Sequence, residues 1–331
     1  MNELKSKKKP VHLVLRAVVS IGILIILCTK IDFPTMWSFV RSSHMGLLWL
    51  TLGLALFERC MMVIKLWFIL RIKNIRTPFW HLYKVVLSTT FVGKYAPTSL
   101  GVDLFRIYGL SRATQNTVET VSTVLMDRFL GMVTILIMAG IAFFYGDYLQ
   151  QEKEVYLALG LLMLLLAGLI VGFFPAVRSR AARLMNRIPF VQKYVSKLGQ
   201  VAHSFYGFRH HAWQLVFLFV LSVIFQSGRV LIPYTVSRAI GLNIPVTYFF
   251  IFVPIVIVVS LLPFSIGGLG IREGGTAYFL TQAGATMNQA VGIALLIFVV
   301  TQVAGLPGGI IYLLEGFGRV KKQAAEMDAS C

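Results

Sequence analysis

Of the 331 residues, 57% are hydrophobic and 13% charged, against about 25% charged in a soluble domain, and the mean hydropathy is +0.78. Such a chain lacks the polar groups to cover a water-facing surface, so a soluble globule is excluded and a bilayer is the natural solvent. The 31 basic and 13 acidic residues give a formal net charge of +18, but the basic ones gather between apolar runs, the pattern of loops beside anionic lipid and not of a nucleic-acid surface.

Met1–Pro10 carries Lys5, Lys7, Lys8 and Lys9 and leads into an apolar run over 11–28. No small-residue cleavage site follows, so an uncleaved first helix is expected and not a signal peptide. A membrane helix needs about 20 apolar residues, and further runs of that kind lie near 46–70, 117–145, 155–174, 213–240 and 288–316. Two other regions, 79–111 and 245–283, are apolar but broken midway by Pro and Gly, and each reads as two half-length helices. Arg71, Lys73 and Arg76, the stretch 175–212 and the group Arg319, Lys321 and Lys322 belong inside by their charge, and the loop near 146–154 outside. Threading the spans through these constraints places both termini in the cytoplasm. The 79–111 segment then enters and leaves from the inside, and the 245–283 segment from the outside. The stretch 175–212 holds seven Lys or Arg and no acid; it reads equally as a helix lying on the inner leaflet or as an ordinary basic loop.

The two broken segments share a pattern. Pro97-Thr98-Ser99-Leu100-Gly101 followed by Arg106 is matched by Pro263-Phe264-Ser265-Ile266-Gly267 followed by Arg272, at an offset of 166 residues. The same shift carries 46–70 and 117–145 onto later apolar runs. The expected fold is therefore an all-α polytopic membrane protein built from two inverted-topology repeats, each with a Pro/Gly-broken re-entrant hairpin. The first repeat covers 1–174, the basic linker 175–212, the second repeat 213–318 and a cytoplasmic tail 319–331. Inverted repeats with discontinuous helices are the sequence signature of secondary transporters.

Charge inside a membrane is costly and marks function. At each break proline removes a backbone donor, Ser99 or Ser265 is placed to cap the next helix, and Gly101, Gly267 and Gly268 allow close backbone approach. A helix N-terminus of that kind favours an anion. Arg106 and Arg272, brought together across the pseudo-twofold axis, would offer two guanidinium forks to a phosphate. The competing reading pairs Arg106 with Asp103, three residues earlier on the same face. Arg272 is expected to need a partner elsewhere, because adjacent Glu273 faces another side of a helix. Asp127 and Arg128 are expected to pair between helices with Lys94 or Glu273, and Lys94, Glu58 and Glu273 are candidates for a coupling or headgroup role. Cys28, Cys60 and Cys331 form no metal or disulfide pattern; no metal and no cofactor are expected. The Gly267–Gly270 run lacks nucleotide-loop spacing.

Three stretches resemble one family: Pro97–Tyr108, Leu125–Gly131 and Leu262–Glu273 are similar to signature segments in the membrane region of lysylphosphatidylglycerol synthase and its stand-alone, flippase-like relatives. The resemblance implies a polytopic inner-membrane protein of bacteria or archaea that flips a lipid between leaflets, with headgroup roles on the matched residues. The chain ends at Cys331, leaving no room for a cytosolic aminoacyl-transferase domain, so synthesis of lysyl-lipid is not expected. The leading expectation is a lipid flippase or lipid-linked transporter of a phosphate-bearing headgroup. The alternatives are a membrane enzyme on lipid phosphate or lipid-linked sugar, and a non-catalytic subunit of an envelope pathway. The partners expected are a membrane lipid and, beside it, a second copy of the chain or an envelope-biosynthesis protein, with no nucleic acid.

Overall fold

The computed structural model describes residues 41, 43–94, 101–145, 156, 160, 163–164, 167, 192–261 and 268–314. The described residues are helical with no strand. The helices are α1 (Met45–Ile72), α2 (Phe79–Lys94), α3 (Gly101–Thr114), α4 (Thr117–Tyr145), α5 (Gln192–Gly207), α6 (Ala212–Ala239), α7 (Val246–Leu261), α8 (Ile271–Gln282) and α9 (Met287–Val303). The expected spans 11–28 and 155–174, the break residues Pro97, Ser99, Pro263, Ser265 and Gly267, and the tail 319–331 lie outside the described residues or almost wholly so.

Among the described residues four helices are long and apolar enough to cross a membrane: Met45–Ile72, Thr117–Ala142, Ala212–Ala239 and Met287–Leu314. Each overlays an apolar run expected from the sequence. The chain is an all-α, multi-pass membrane protein. The two broken segments each yield a pair of short helices packed side by side, α2 on α3 and α7 on α8. At 1.5 Å per residue a 16-residue helix such as α2 or α7 reaches about 24 Å, short of the ~30 Å hydrocarbon core.

Helices α1 and α6 run antiparallel as a central pair. The first backbone N–H of the α1 cap, at His44, donates to the carbonyl of Ala239 at the end of α6 (3.0 Å). Mid-pair, the buried Thr51 hydroxyl donates to Thr235 Oγ1 (2.9 Å). Around this pair α2, α3 and α4 share a core of Met62, Val63, Leu66, Leu82, Val86 and Leu110. On the other side α7, α8 and α9 share a second core in which Tyr248, Phe249, Phe252 and Phe279 interlock, with Phe252 and Phe279 stacked at 5.6 Å. In lipid such packing comes from close van der Waals fit and interhelical hydrogen bonds, since the tails are as apolar as the side chains.

The basic linker and the last span each add a feature. In the basic linker, 192–207 forms a helix, α5, whose Ser204 donates to Glu119 at the start of α4 and whose Phe205 ring meets Phe129 farther along it. Lys73, at the end of α1, ties that junction together: it pairs with Glu119 (3.4 Å), donates to Ser204 and lies over the Phe208 ring. The last span, expected as one unbroken helix, carries a turn at Ala304–Gly305. Pro307 is the cause, since it has no N–H to give Val303 and its ring crowds the preceding turn. The Gly305 N–H goes to Gln302 O (2.9 Å), which releases the carbonyl of Thr301 from its usual i+4 donor.

Candidate functional site

The charged residues within the span depth form two adjoining groups. The inner group is built on one stripe of α1, where Glu58, Met62 and Lys65 recur at helical spacing. Lys65 is 1% exposed and its ammonium meets Asp127 of α4 at 3.0 Å. Arg106 of α3, also buried, approaches the other Asp127 oxygen at 3.6 Å and donates to the Met62 sulfur at 3.2 Å. Asp103, one turn before Arg106 on α3, pairs with Arg128 of α4. This corrects the sequence reading twice. Arg106 does not turn to Asp103, and Asp127 and Arg128 take neither Lys94 nor Glu273. Instead α3 and α4 exchange two cross-pairs, because adjacent Asp127 and Arg128 present opposite charges to Arg106 and Asp103, while local i,i+3 pairing would leave Arg128 bare.

The outer group gathers at the ends of the short helices. Lys94 closes α2 and reaches into the interruption of α9, donating to Gln302 Oε1 (3.0 Å) and to the released Thr301 carbonyl (3.3 Å). Its electrostatic neighbours are Arg59, Arg272 and Glu58. Arg229 of α6 meets Glu58 of α1 at 3.7 Å, beside the crossing where Gly228 faces Glu58, and it also feels Arg272, Arg128 and Arg59. At the start of α8, Gly268 and Gly270 hold φ of +79° and +81°, a region that L side chains rarely enter. The Glu273 carboxylate folds back one turn, accepts the Gly270 N–H at 2.7 Å and so lies beside Arg272, whose guanidinium donates to its second oxygen at 3.2 Å. The expectation that Glu273 cannot face Arg272 is therefore wrong. Helical spacing separates the Cβ atoms, but a carboxylate drawn to the helix start is brought back within reach of its neighbour.

Among the residues expected to bind a headgroup, Arg272, Glu273 and Gly268 stand together in the outer group with Lys94 and Glu58, while Arg106, Asp103, Asp127 and Arg128 form the inner one and Gly101 opens α3, buried. Arg128 links the two groups electrostatically. Arg229 and Arg59 belong to the outer group and were visible as charges in apolar runs, yet nothing in their local sequence tied them to the breaks. Arg229 and Arg272 are the open members, with side chains 34% and 36% exposed. Lys65 carried a readable signal, the spacing from Glu58 through Met62. Among the described residues no group of three His, Cys, Asp or Glu is placed to hold a metal.

Over residues 13–309 the chain matches the family described as lysylphosphatidylglycerol synthase TM region. The chain belongs to that family. It is thus a multi-pass membrane protein of a lipid or envelope pathway, and the family match covers both charged groups and every described helix except the last residues of 287–314. No curated protein matches it.

Proposed function

We propose that this family member moves the headgroup of a phosphate-bearing lipid between the leaflets of the cytoplasmic membrane while the tails stay in the bilayer. The observation that carries the reading is the outer group: Arg272 and Lys94 at the ends of helices too short to cross the membrane, with Arg229 and Arg59 beside them on the long helices α6 and α1, and Arg229 and Arg272 partly open. Guanidinium forks suit phosphate oxygens, and intramembrane cations mark a substrate path by default.

The architecture supports transport through two inverted halves. Helix contacts recur under the exchange of 166 residues: α2 with α3 and α7 with α8, α3 with α4 and α8 with α9, α1 with α2 and α6 with α7, α1 with α4 and α6 with α9. In this reading both pairs of short helices are re-entrant, and the basic end that joins Lys73, Arg209 and α5 faces the cytoplasm along with both termini. Arg106 and Arg272 are related half-sites in different states, Arg106 sealed by Asp127 and Arg272 open. Exchange of those states would expose the headgroup first to one side and then to the other. The substrate leaves unchanged; no bond is made or broken.

The test is lipid flipping in proteoliposomes with tail-labelled phospholipids, wild type beside the Arg229→Ala, Arg272→Ala double variant. The reading expects wild-type acceleration and at least about a tenfold loss in the variant, as for removal of charge-assisted hydrogen bonds. Absence of movement by the wild type, or conversion of the labelled lipid to a new chemical species, would overturn it.

A further inference from the structure

Of the four cations of the outer group, two are matched by carboxylates among the described residues and two are not. Arg229 has Glu58 at 3.7 Å and Arg272 has Glu273 at 3.2 Å. Lys94 donates only to the neutral oxygens of Gln302 and Thr301. Arg59 makes no ion pair among the described residues, and its Nε is buried with no hydrogen-bond partner. The break segments 95–100 and 262–267 contain no charged side chain by sequence, so they add nothing to either side of this balance.

Removing ions from water is costly, and the cost is offset only where a counter-charge and the remaining hydrogen bonds are supplied. Among the described residues Arg59 and Lys94 lack the counter-charge, and each retains donors for it: an ammonium has three N–H groups and Lys94 uses two on protein oxygens, while the Arg59 Nε–H is idle. We infer that the outer group receives a headgroup bearing two negative charges on one phosphorus, a terminal phosphate monoester, in preference to the single charge of a phosphodiester. The inference rests on the transport reading above and names its substrate class. A phosphate monoester carries about −1.5 to −2 at pH 7 and cancels both unmatched cations. A phosphodiester leaves one bare, and a zwitterionic headgroup brings a further positive charge into a group already in excess.

The full-length protein in proteoliposomes is given three tail-labelled lipids: phosphatidic acid (a monoester), phosphatidylglycerol (a monoanionic diester) and phosphatidylcholine (a zwitterion). Phosphatidic acid is expected to cross at least about tenfold faster than the others, the scale of one charge-assisted hydrogen bond. Lys94→Gln and Arg59→Gln, with melting temperatures checked, are each expected to lower that rate about tenfold and to narrow its lead over phosphatidylglycerol. Water-soluble glycerol 3-phosphate supplies the free-ester arm. Thermal stabilisation by it, without movement of any lipid, would keep the dianion chemistry and remove the transport reading. Equal rates for all three lipids, all dependent on Arg229 and Arg272, would keep transport and overturn the dianion inference. No movement and no stabilisation would overturn both. The wild-type selectivity alone decides the matter if a variant fails to fold.

Discussion

Asp127 neutralises Lys65 at 3.0 Å while its second oxygen faces Arg106 at 3.6 Å, so one carboxylate stands against two buried cations. Removing one partner of a buried ion pair leaves an uncompensated charge, at about 3–5 kcal/mol. Asp127→Asn is therefore expected to lower the melting temperature of the detergent-solubilised protein sharply. Lys65→Met combined with Asp127→Asn should recover part of the loss, since a well-packed apolar side chain replaces the stranded ammonium. If the double substitution melted no higher than Asp127→Asn alone, Lys65 would not be the cation that Asp127 holds. The sequence disclosed that Asp103, Arg106, Asp127 and Arg128 lie inside apolar runs, yet not how they pair. Spacing along one helix allows Asp103–Arg106, and only the placement of α4 makes the crossed arrangement the one that satisfies all four. The fold-back of Glu273 escaped the same spacing logic, because it depends on the backbone donor at Gly270.

At the scale of elements, hydropathy disclosed the four long helices and the Pro/Gly interruptions disclosed the two pairs of short ones, since each signal is local: apolar length in one case, a lost backbone donor in the other. The turn in α9 stayed hidden because Pro307 sits in a run that remains apolar on both sides. That turn lays the segment 306–314 against α2, where a Cβ at Gly308 would run into the carbonyl oxygen of Leu87. Backbone cannot yield as a flexible side chain can, so Gly308→Ala is expected to cost about 1–3 kcal/mol, the range for overpacking. It should also weaken the Lys94 contact with Thr301 and Gln302 one and a half turns earlier. Thermal unfolding checks the first effect. For the second, reaction of Lys94 with a membrane-permeant amine label, read by mass spectrometry, should be faster in the variant than in the parent; equal rates would show that this segment adapts without moving.

For the whole molecule, the pairing of contacts around α1 and α6 bears on how the chain enters the membrane. If the two halves are inverted, α2–α3 opens to the side that carries Lys73 and α5, and α7–α8 opens to the other. A single cysteine at Thr77, just before α2, and one at Thr286, just after α8, should then be labelled by a membrane-impermeant thiol reagent from opposite faces, with Cys28, Cys60 and Cys331 replaced by Ala. Right-side-out and inverted vesicles, each with a flipping assay to certify the fold, distinguish the faces. Labelling of both positions from the same face would break the inverted arrangement. It would also remove the reason to treat Arg106 and Arg272 as alternating half-sites, because two pairs of helices opening to one side cannot hand a headgroup from one leaflet to the other. Opposite labelling would keep the proposed route, in which a headgroup at Arg272 and Arg229 passes between the two short-helix pairs beside Lys94 and Arg59.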